Sequence, residues 1–396
     1  MSPIEGRPIR ILRVIARMNV GGPAWQVSVL TRGLDASRFE TRLIVGDVGE
    51  GEADFVELRD PDLPLVKIPT LGRSVRPGDD LRAFISIRRA IRDFRPDIVH
   101  THTAKAGLLG RLAAVTSRVP VRVHTYHGHY LHGYFSRFVS RTLVVVERFL
   151  ARSTTALVAV GARIRDDLVA AGIGKYDQYT VIPPGVARAT TSDRESARVR
   201  LGLRPDVPVV LFVGRLTAIK RLDRLIDAMS LVLERRPDVV LGVVGEGDLL
   251  EETRLRAEPL GSAVHFLGWQ PDIADLYVAS DCVVLTSDSE GMPVTLIEAA
   301  MAGVPAVTTD VGSAGEVVLD GVTGLVVAPE ASAVAEGLLR LLDPDLRDQM
   351  GAAAFAKAGA EFSMERLIAD HAALYGRLVN ALDIGDSQPD SGRPRG

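Results

Sequence analysis

Short runs of β-branched and other apolar residues recur along this chain. Each is followed by a stretch whose apolar positions fall at helical spacing. In the first half the runs are Ile9–Ile15, Thr41–Val45, Leu65–Ile68, Ile98–Thr101, Val121–Thr125, Ala156–Val160 and Thr180–Ile182. In the second half they are Val209–Val213, Val239–Val244, Val264–Leu267, Cys282–Leu285, Ala306–Thr308 and Gly324–Val327. Most are continuously apolar, as strands buried on both faces of a parallel sheet must be. Thirteen strands are too many for one compact sheet. The pattern therefore predicts an α/β protein of two doubly wound domains. The break falls at Pro183-Pro184-Gly185, with a polar stretch from Ala189 to Arg200 after it. This gives domains 1–185 and 186–363, a last helix over 364–382 placed to cross back to the first domain, and a disordered tail, 383–396, rich in Gly, Ser, Pro and Asp. Ligands of such sheets bind beyond the carboxyl ends of the strands, so the cleft between the domains is the expected site.

Composition narrows the class. A length of 396 residues suits two or three domains, and 46% hydrophobic with 24% charged residues suits a globular protein rather than a disordered one. The single cysteine, Cys282, excludes an internal disulfide, argues against a thiolate zinc site and fits a reducing compartment. No apolar run is long enough for a membrane span, and Met1–Arg10 is polar with no apolar segment after it. A cytoplasmic protein without a signal peptide is the expectation. The net charge of −3 conceals an asymmetry: 27 Lys and Arg against 18 Asp and Glu through Gly185, then 20 against 32 beyond it. Either the basic half meets something anionic or surface charge has drifted unevenly. No dense basic patch or nucleic-acid module is visible, so no nucleic-acid partner is expected.

The most informative segment follows the run Cys282–Leu285. It reads Ser287-Asp288-Ser289-Glu290-Gly291-Met292-Pro293-Val294-Thr295-Leu296-Ile297-Glu298 and continues to Gly303. Pro293 suits the first position of a helix, where its missing N–H costs nothing. The free amides around Gly291, Met292, Pro293, Val294 and Thr295 then make a positive helix tip at a strand end, an anion site. A carboxylate grips a vicinal diol through two accepted hydrogen bonds. Glu290 and Glu298 are thus placed to hold two sugars flanking a diphosphate; the alternative is a loop acid and a surface charge.

With its E-x7-E spacing this segment resembles the signature of glycosyltransferase family 4, whose members have the GT-B fold. Val213-Gly214-Arg215-Leu216-Thr217-Ala218-Ile219-Lys220-Arg221 resembles the family's diphosphate-binding segment. Gly21-Gly22-Pro23 resembles its first glycine-rich loop, and Ile182-Pro183-Pro184-Gly185-Val186 its linker. Gly312-Ser313-Ala314-Gly315-Glu316 with Asp320-Gly321-Val322-Thr323-Gly324 resembles its C-terminal pattern. The resemblance implies two Rossmann-like domains, a nucleotide-sugar donor, a UDP-sugar by preference, and retention of configuration. It implies that Arg215 and Lys220 bind the donor diphosphate, and that the region of His265 contacts the base. Gly21-Gly22 also reads as a tight turn without a ligand.

Six of the eight histidines fall between His100 and His132: His100, His102, His124, His127, His129 and His132. Such clustering serves metal binding, proton transfer, anion binding or structure. No H-E-x-x-H accompanies it, nor any magnesium-binding acidic motif, so neither metal nor other cofactor is expected. His124-Thr125-Tyr126-His127-Gly128-His129 resembles the family's N-domain catalytic loop. By that match His127 lies near the reacting carbon. Many members have Asp where Gly128 stands, which leaves open whether His127 is a base or a contact to the sugar. Lys105, at a neighbouring strand end, is a candidate for an anionic acceptor group. Between Tyr130 and Arg152, Tyr134, Phe135, Phe138 and Phe149 mix with Arg137, Arg141, Arg148 and Arg152. This is either a core-facing amphipathic helix or one that docks on the inner membrane surface.

The reading is a retaining hexosyltransferase with catalytic His127 and Glu290, its acceptor a hydroxyl in a cell-envelope glycan, glycolipid or small-molecule glycoside. Three rivals remain: a glycosidase using Glu290 and Glu298, a non-catalytic nucleotide-sugar binder, and a dehydrogenase, which lacks its G-x-G-x-x-G.

Overall fold

The computed structural model describes residues 7–49, 52–72, 74–128, 137–187, 193–204, 206–270 and 272–386, without the side chains of 137–139 and 383–386. His129, His132, Tyr134, Phe135, the side chains of Arg137 and Phe138, the start of the polar stretch at 189–192 and the tail 387–396 lie outside this description.

All thirteen anticipated strands are present. The first seven are β1 (Ile9–Ile15), β2 (Phe39–Val45), β3 (Leu65–Lys67), β4 (Ile98–His102), β5 (Val121–Tyr126), β6 (Ala156–Ala159) and β7 (Tyr179–Val181). They form one parallel sheet in the order β3-β2-β1-β4-β5-β6-β7. The remaining six are β8 (Val209–Val213), β9 (Val240–Val244), β10 (Val264–Gly268), β11 (Cys282–Leu285), β12 (Ala306–Thr309) and β13 (Gly324–Val327). They form a second parallel sheet, β10-β9-β8-β11-β12-β13.

Helices cover both faces of each sheet, which is why the strands read as unbroken apolar runs. Along β1, Leu12 and Val14 join the cluster with Ile87 and Ile91, while Ile11 faces Leu30 and Leu34 on the other side. One cluster is continuous between the sheets, joining Val160 and Ile164 of the first domain to Val283 and Ile297 of the second.

The chain passes between the domains twice, at adjacent points. Val186 N donates to Phe362 O at 2.8 Å, and the Trp25 indole donates to Gly185 O at 2.8 Å. The last helix, Met364–Asp386, runs four residues into the anticipated tail 383–396 and packs on the helix Gly22–Gly33 of the first domain. Its Leu367, Leu374, Tyr375 and Val379 complete a core with Ile11, Phe39 and Ile98. The helix Arg137–Arg152 takes the core-facing role of the two anticipated for it. Glu147, Leu150 and Ala151 are buried, with Glu147 bound to Arg111 and Tyr126. The other face leaves Arg141, Val145, Arg148, Phe149 and Arg152 exposed.

Candidate active site

In each sheet the chain winds outward in one direction and then crosses over to wind the other way. The changeover lies between β1 and β4, and between β8 and β11. At such points adjacent loops diverge and leave a crevice beyond the strand ends. Gly21-Gly22 follows β1, Lys105 follows β4, Arg215 and Lys220 follow β8, and the Glu290–Glu298 segment follows β11. The topology thus sends most of the candidate residues to these two crevices.

In the second domain, backbone contacts bring Lys220 to Glu290. Thr286 Oγ1 donates to Lys220 O at 2.9 Å, and Asp288 N donates to Ile219 O at 2.9 Å. Lys220 Nζ then donates to Glu290 Oε1 at 2.6 Å, and Ser287 Oγ donates to the same oxygen at 2.5 Å. The Arg215 side chain is exposed and has no hydrogen-bond or ion-pair partner among the described residues. Its backbone is held from below: Leu216 N donates to Glu246 O at 2.9 Å, and Gly214 N donates to Val244 O at 3.0 Å. Gly245 sits so close that a Cβ there would lie 2.0 Å from Gly214 O.

The helix beyond β11 begins at Val294, with Pro293 as its cap, one residue later than the sequence suggests. Proline's extended ψ of 107° here makes it the flanking residue rather than the first helical one. The amides of Val294 and Thr295 lie in the first turn and have no intrahelical acceptor. Met292 and Pro293 are buried, and Met292 belongs to the cluster that joins the domains. Glu298, in the second turn, accepts from the Tyr277 hydroxyl at 2.8 Å. Burial pushes its carboxyl up to about 7, against the Tyr277 hydrogen bond and the charge of Arg59, a first-domain residue.

Glycines bring the two domains into contact around these groups. A Cβ on Gly22 would lie 2.9 Å from Val294 Cγ2. One on Gly291 would lie 2.1 Å from His127 O; within the second domain, one on Gly312 would lie 1.8 Å from Glu290 O. Ser313 N donates to Gly291 O at 2.9 Å, continuing the same layer. Beside it, Glu316 accepts from Ala162 N at 2.8 Å and Arg163 N at 2.9 Å, capping a first-domain helix from the second domain. Arg163 reaches back to Asp310 at 2.6 Å.

The histidines divide by role. His100 is enclosed between Tyr375 Oη at 2.6 Å and Thr125 Oγ1 at 2.7 Å, and His124 bonds Thr101 Oγ1 at 2.8 Å. His127 Nε2 lies 3.0 Å from His102 Nδ1, and His127 alone of these four is less than fully buried. Burial holds His100, His102 and His124 well below the ordinary imidazole range and His127 at about 4. Among the described residues, no group of three or more His, Cys, Asp or Glu side chains is disposed to hold a metal ion.

Comparison with known proteins decides the family. The profile described as "Glycosyl transferase 4-like domain" matches residues 21–185, and "Glycosyl transferases group 1" matches 193–357. The chain is 30% identical to the Escherichia coli protein named UDP-Gal:alpha-D-GlcNAc-diphosphoundecaprenol alpha-1,3-galactosyltransferase. That match covers 70% of this chain and 73% of the relative. The chain belongs to glycosyltransferase family 4. A second relative, the D-inositol 3-phosphate glycosyltransferase of Actinosynnema mirum, is 34% identical over 71% of this chain and 72% of its own. The two-domain GT-B fold is shared with Anabaena HepE, solved with UDP and glucose. There the TM-score is 0.80 at 23% identity, with 93% of this chain and all of the neighbour covered.

Two candidate residues of this glycosyltransferase stand apart from the group. Lys105 Nζ is bound to Ser74 O and Asp80 Oδ1, each at 2.5 Å. His265 is exposed near the start of the edge strand β10, whose carboxyl end is Leu267-Gly268. Sequence reasoning overlooked Tyr277, Arg59 and the capping role of Glu316, none of which carries a local signal of its function. Ser287 was legible, standing three residues before Glu290 within the same signature.

Proposed function

We propose that this glycosyltransferase transfers a sugar, with retention, from a UDP-sugar to an acceptor hydroxyl. The observation that carries the reading is the layered contact of Lys220, Glu290, Gly291 and His127 at the meeting of the two crevices. Arg215, Lys220 and the helix tip at Val294 and Thr295 offer positive charge to a leaving diphosphate. Glu298, held by Tyr277, is offered to the ribose diol, and Glu290, held by Lys220 and Ser287, to the transferred sugar. The sugar C1–O bond breaks toward the diphosphate. The acceptor oxygen bonds to C1 on the same face, and its proton passes to a leaving diphosphate oxygen. The similarity to the Escherichia coli galactosyltransferase named for UDP-Gal supports a UDP-sugar.

Two features bear on the acceptor. An anionic acceptor group reaching Lys105 exchanges for Asp80. The exposed stripe of Arg141, Val145, Arg148, Phe149 and Arg152 supports contact with an anionic membrane surface, with Val145 62% and Phe149 64% exposed. No helix among the described residues is long and apolar enough to cross a membrane.

A thermal-shift series with UDP-, GDP- and ADP-sugars tests the donor, because a ligand of the folded state raises the melting point. UDP-sugars are expected to give the largest shift, and no shift with any nucleotide-sugar overturns the reading. The anomeric configuration of the product, read by proton NMR, tests retention.

A further inference from the structure

His102 ends β4 and His127 follows β5, the adjacent strand. Their rings meet at 3.0 Å through His102 Nδ1 and His127 Nε2. Only one hydrogen fits between two imidazole nitrogens at that distance. One ring donates, the other accepts, and the two tautomers are locked to each other. A second hydrogen on the two facing nitrogens would set N–H against N–H.

The buried end of the pair decides the direction. His102 is fully buried, and its Nε2 has no hydrogen-bond partner among the described residues. An orphaned N–H in the interior is rarer than an under-used acceptor. The surroundings point the same way. Arg13, fully buried on β1, has Nε and Nη1 without partners among the described residues, and its charge disfavours further positive charge at His102. His100 lies against His102, ring centroids 4.3 Å apart, and is itself fixed by Tyr375 and Thr125.

We propose that His102 is a positioning residue: it donates Nδ1–H to His127 Nε2 and so holds His127 as the tautomer protonated on Nδ1. His127 then has no free lone pair with which to take a proton from an acceptor hydroxyl. What it offers is a hydrogen-bond donor. The ring steadies an oxygen of the bound sugar, and the acceptor's proton must go elsewhere, to the departing diphosphate. The consequence for catalysis rests on the reading that His127 meets the transferred sugar; the tautomer does not.

The test is 15N NMR of full-length protein labelled at histidine, with signals assigned through His102→Asn and His127→Gln. Nitrogen shifts of His102 and His127 should both show protonated Nδ1 and bare Nε2. His102→Asn keeps an amide donor near the place of Nδ1. It should preserve the His127 tautomer and keep kcat within about threefold, since the donor is retained. His102→Phe removes the donor. It should release His127 to the Nε2–H form and lower kcat roughly 100-fold with little change in donor KM, the scale for losing a preorganised donor. A protonated Nε2 on His127 in the wild type overturns the proposal, as does an Asn variant no better than the Phe variant. Should the Phe variant not fold, the wild-type spectrum and the Asn variant still decide. If His127→Ala leaves turnover unchanged while the tautomer is as stated, the functional reading fails and the tautomer stands. If His127→Ala abolishes turnover but Nε2 is protonated, the reverse holds.

Discussion

Gly291 is a point where the domains touch backbone to backbone, and Gly291→Ala tests whether that closeness matters. The added Cβ would lie 2.1 Å from His127 O, 3.0 Å from its carbonyl carbon and 3.2 Å from Gly128 Cα. Even a short carbon–oxygen contact needs about 3.3 Å, so the loops must part by about 1 Å. Gly291 is not among the glycines with positive φ, so alanine brings no backbone strain of its own. The whole effect falls on the spacing of His127 from the Glu290 loop. A misplacement of about 1 Å costs on the order of 100-fold in rate, or about 2.7 kcal/mol of transition-state stabilisation. The assay is UDP release under saturating donor, with differential scanning fluorimetry beside it. Expected are a kcat/KM lowered about 100-fold and a melting point lowered by a few degrees, because backbone rather than a side-chain end must move. Gly359→Ala is the control, since nothing lies within 4 Å of its added Cβ and it sits in a helix. That variant should keep full activity and gain roughly 0.5–1 kcal/mol of stability. Wild-type turnover in Gly291→Ala would refute the idea that this contact sets the catalytic geometry.

Three further outcomes follow from the site. Lys220→Met removes a cation from the diphosphate position and leaves Glu290 with Ser287 alone; donor Kd by calorimetry should weaken roughly 10- to 100-fold, the scale of a charge-assisted hydrogen bond. Glu298 ionises near 7 in the folded protein against an ordinary 4.5. Between those values the unfolded chain releases a proton that the native chain keeps, so this group makes stability fall as pH rises from about 4.5 to 7 and level off above. Donor binding that needs the carboxylate runs the other way, tightening about tenfold from pH 6 to pH 8; Glu298→Gln should flatten both profiles, and an unaltered pH dependence would exclude Glu298 as the titrating group. Glu316→Ala takes the acceptor from two amides of the opposite domain, at about 1 kcal/mol for a lost helix cap. The melting point should drop by about 2–4 °C, and small-angle scattering should show a larger radius of gyration without donor; identical scattering would mean that Glu316 does not hold the domains together.

The chain's own pattern settled the two doubly wound sheets. Strands buried on both faces must be apolar throughout, and the helices between them must carry their apolar stripe at another period. The E-x7-E segment was equally legible, because the helix start and both carboxylates lie within one short stretch after β11. What no local pattern revealed is how distant segments meet. Lys220 and Glu290 are seventy positions apart in sequence and 2.6 Å apart in space, because β8 and β11 are neighbours across the changeover in strand order. His102 and His127 meet because β4, which His102 ends, lies in register beside β5, which His127 follows. His265 was read toward the nucleotide because it lies on a strand of the right domain, yet the register places it near the wrong end of β10. Lys105 looked like an open cation because Asp80, its partner, belongs to another helix. Tyr277 and Arg59 reach Glu298 only once the sheet and the two domains are assembled. Periodicity is a property of neighbours along the chain, so sequence alone could supply it. A catalytic site is a property of neighbours in space, which strand order, register and the contact between domains decide.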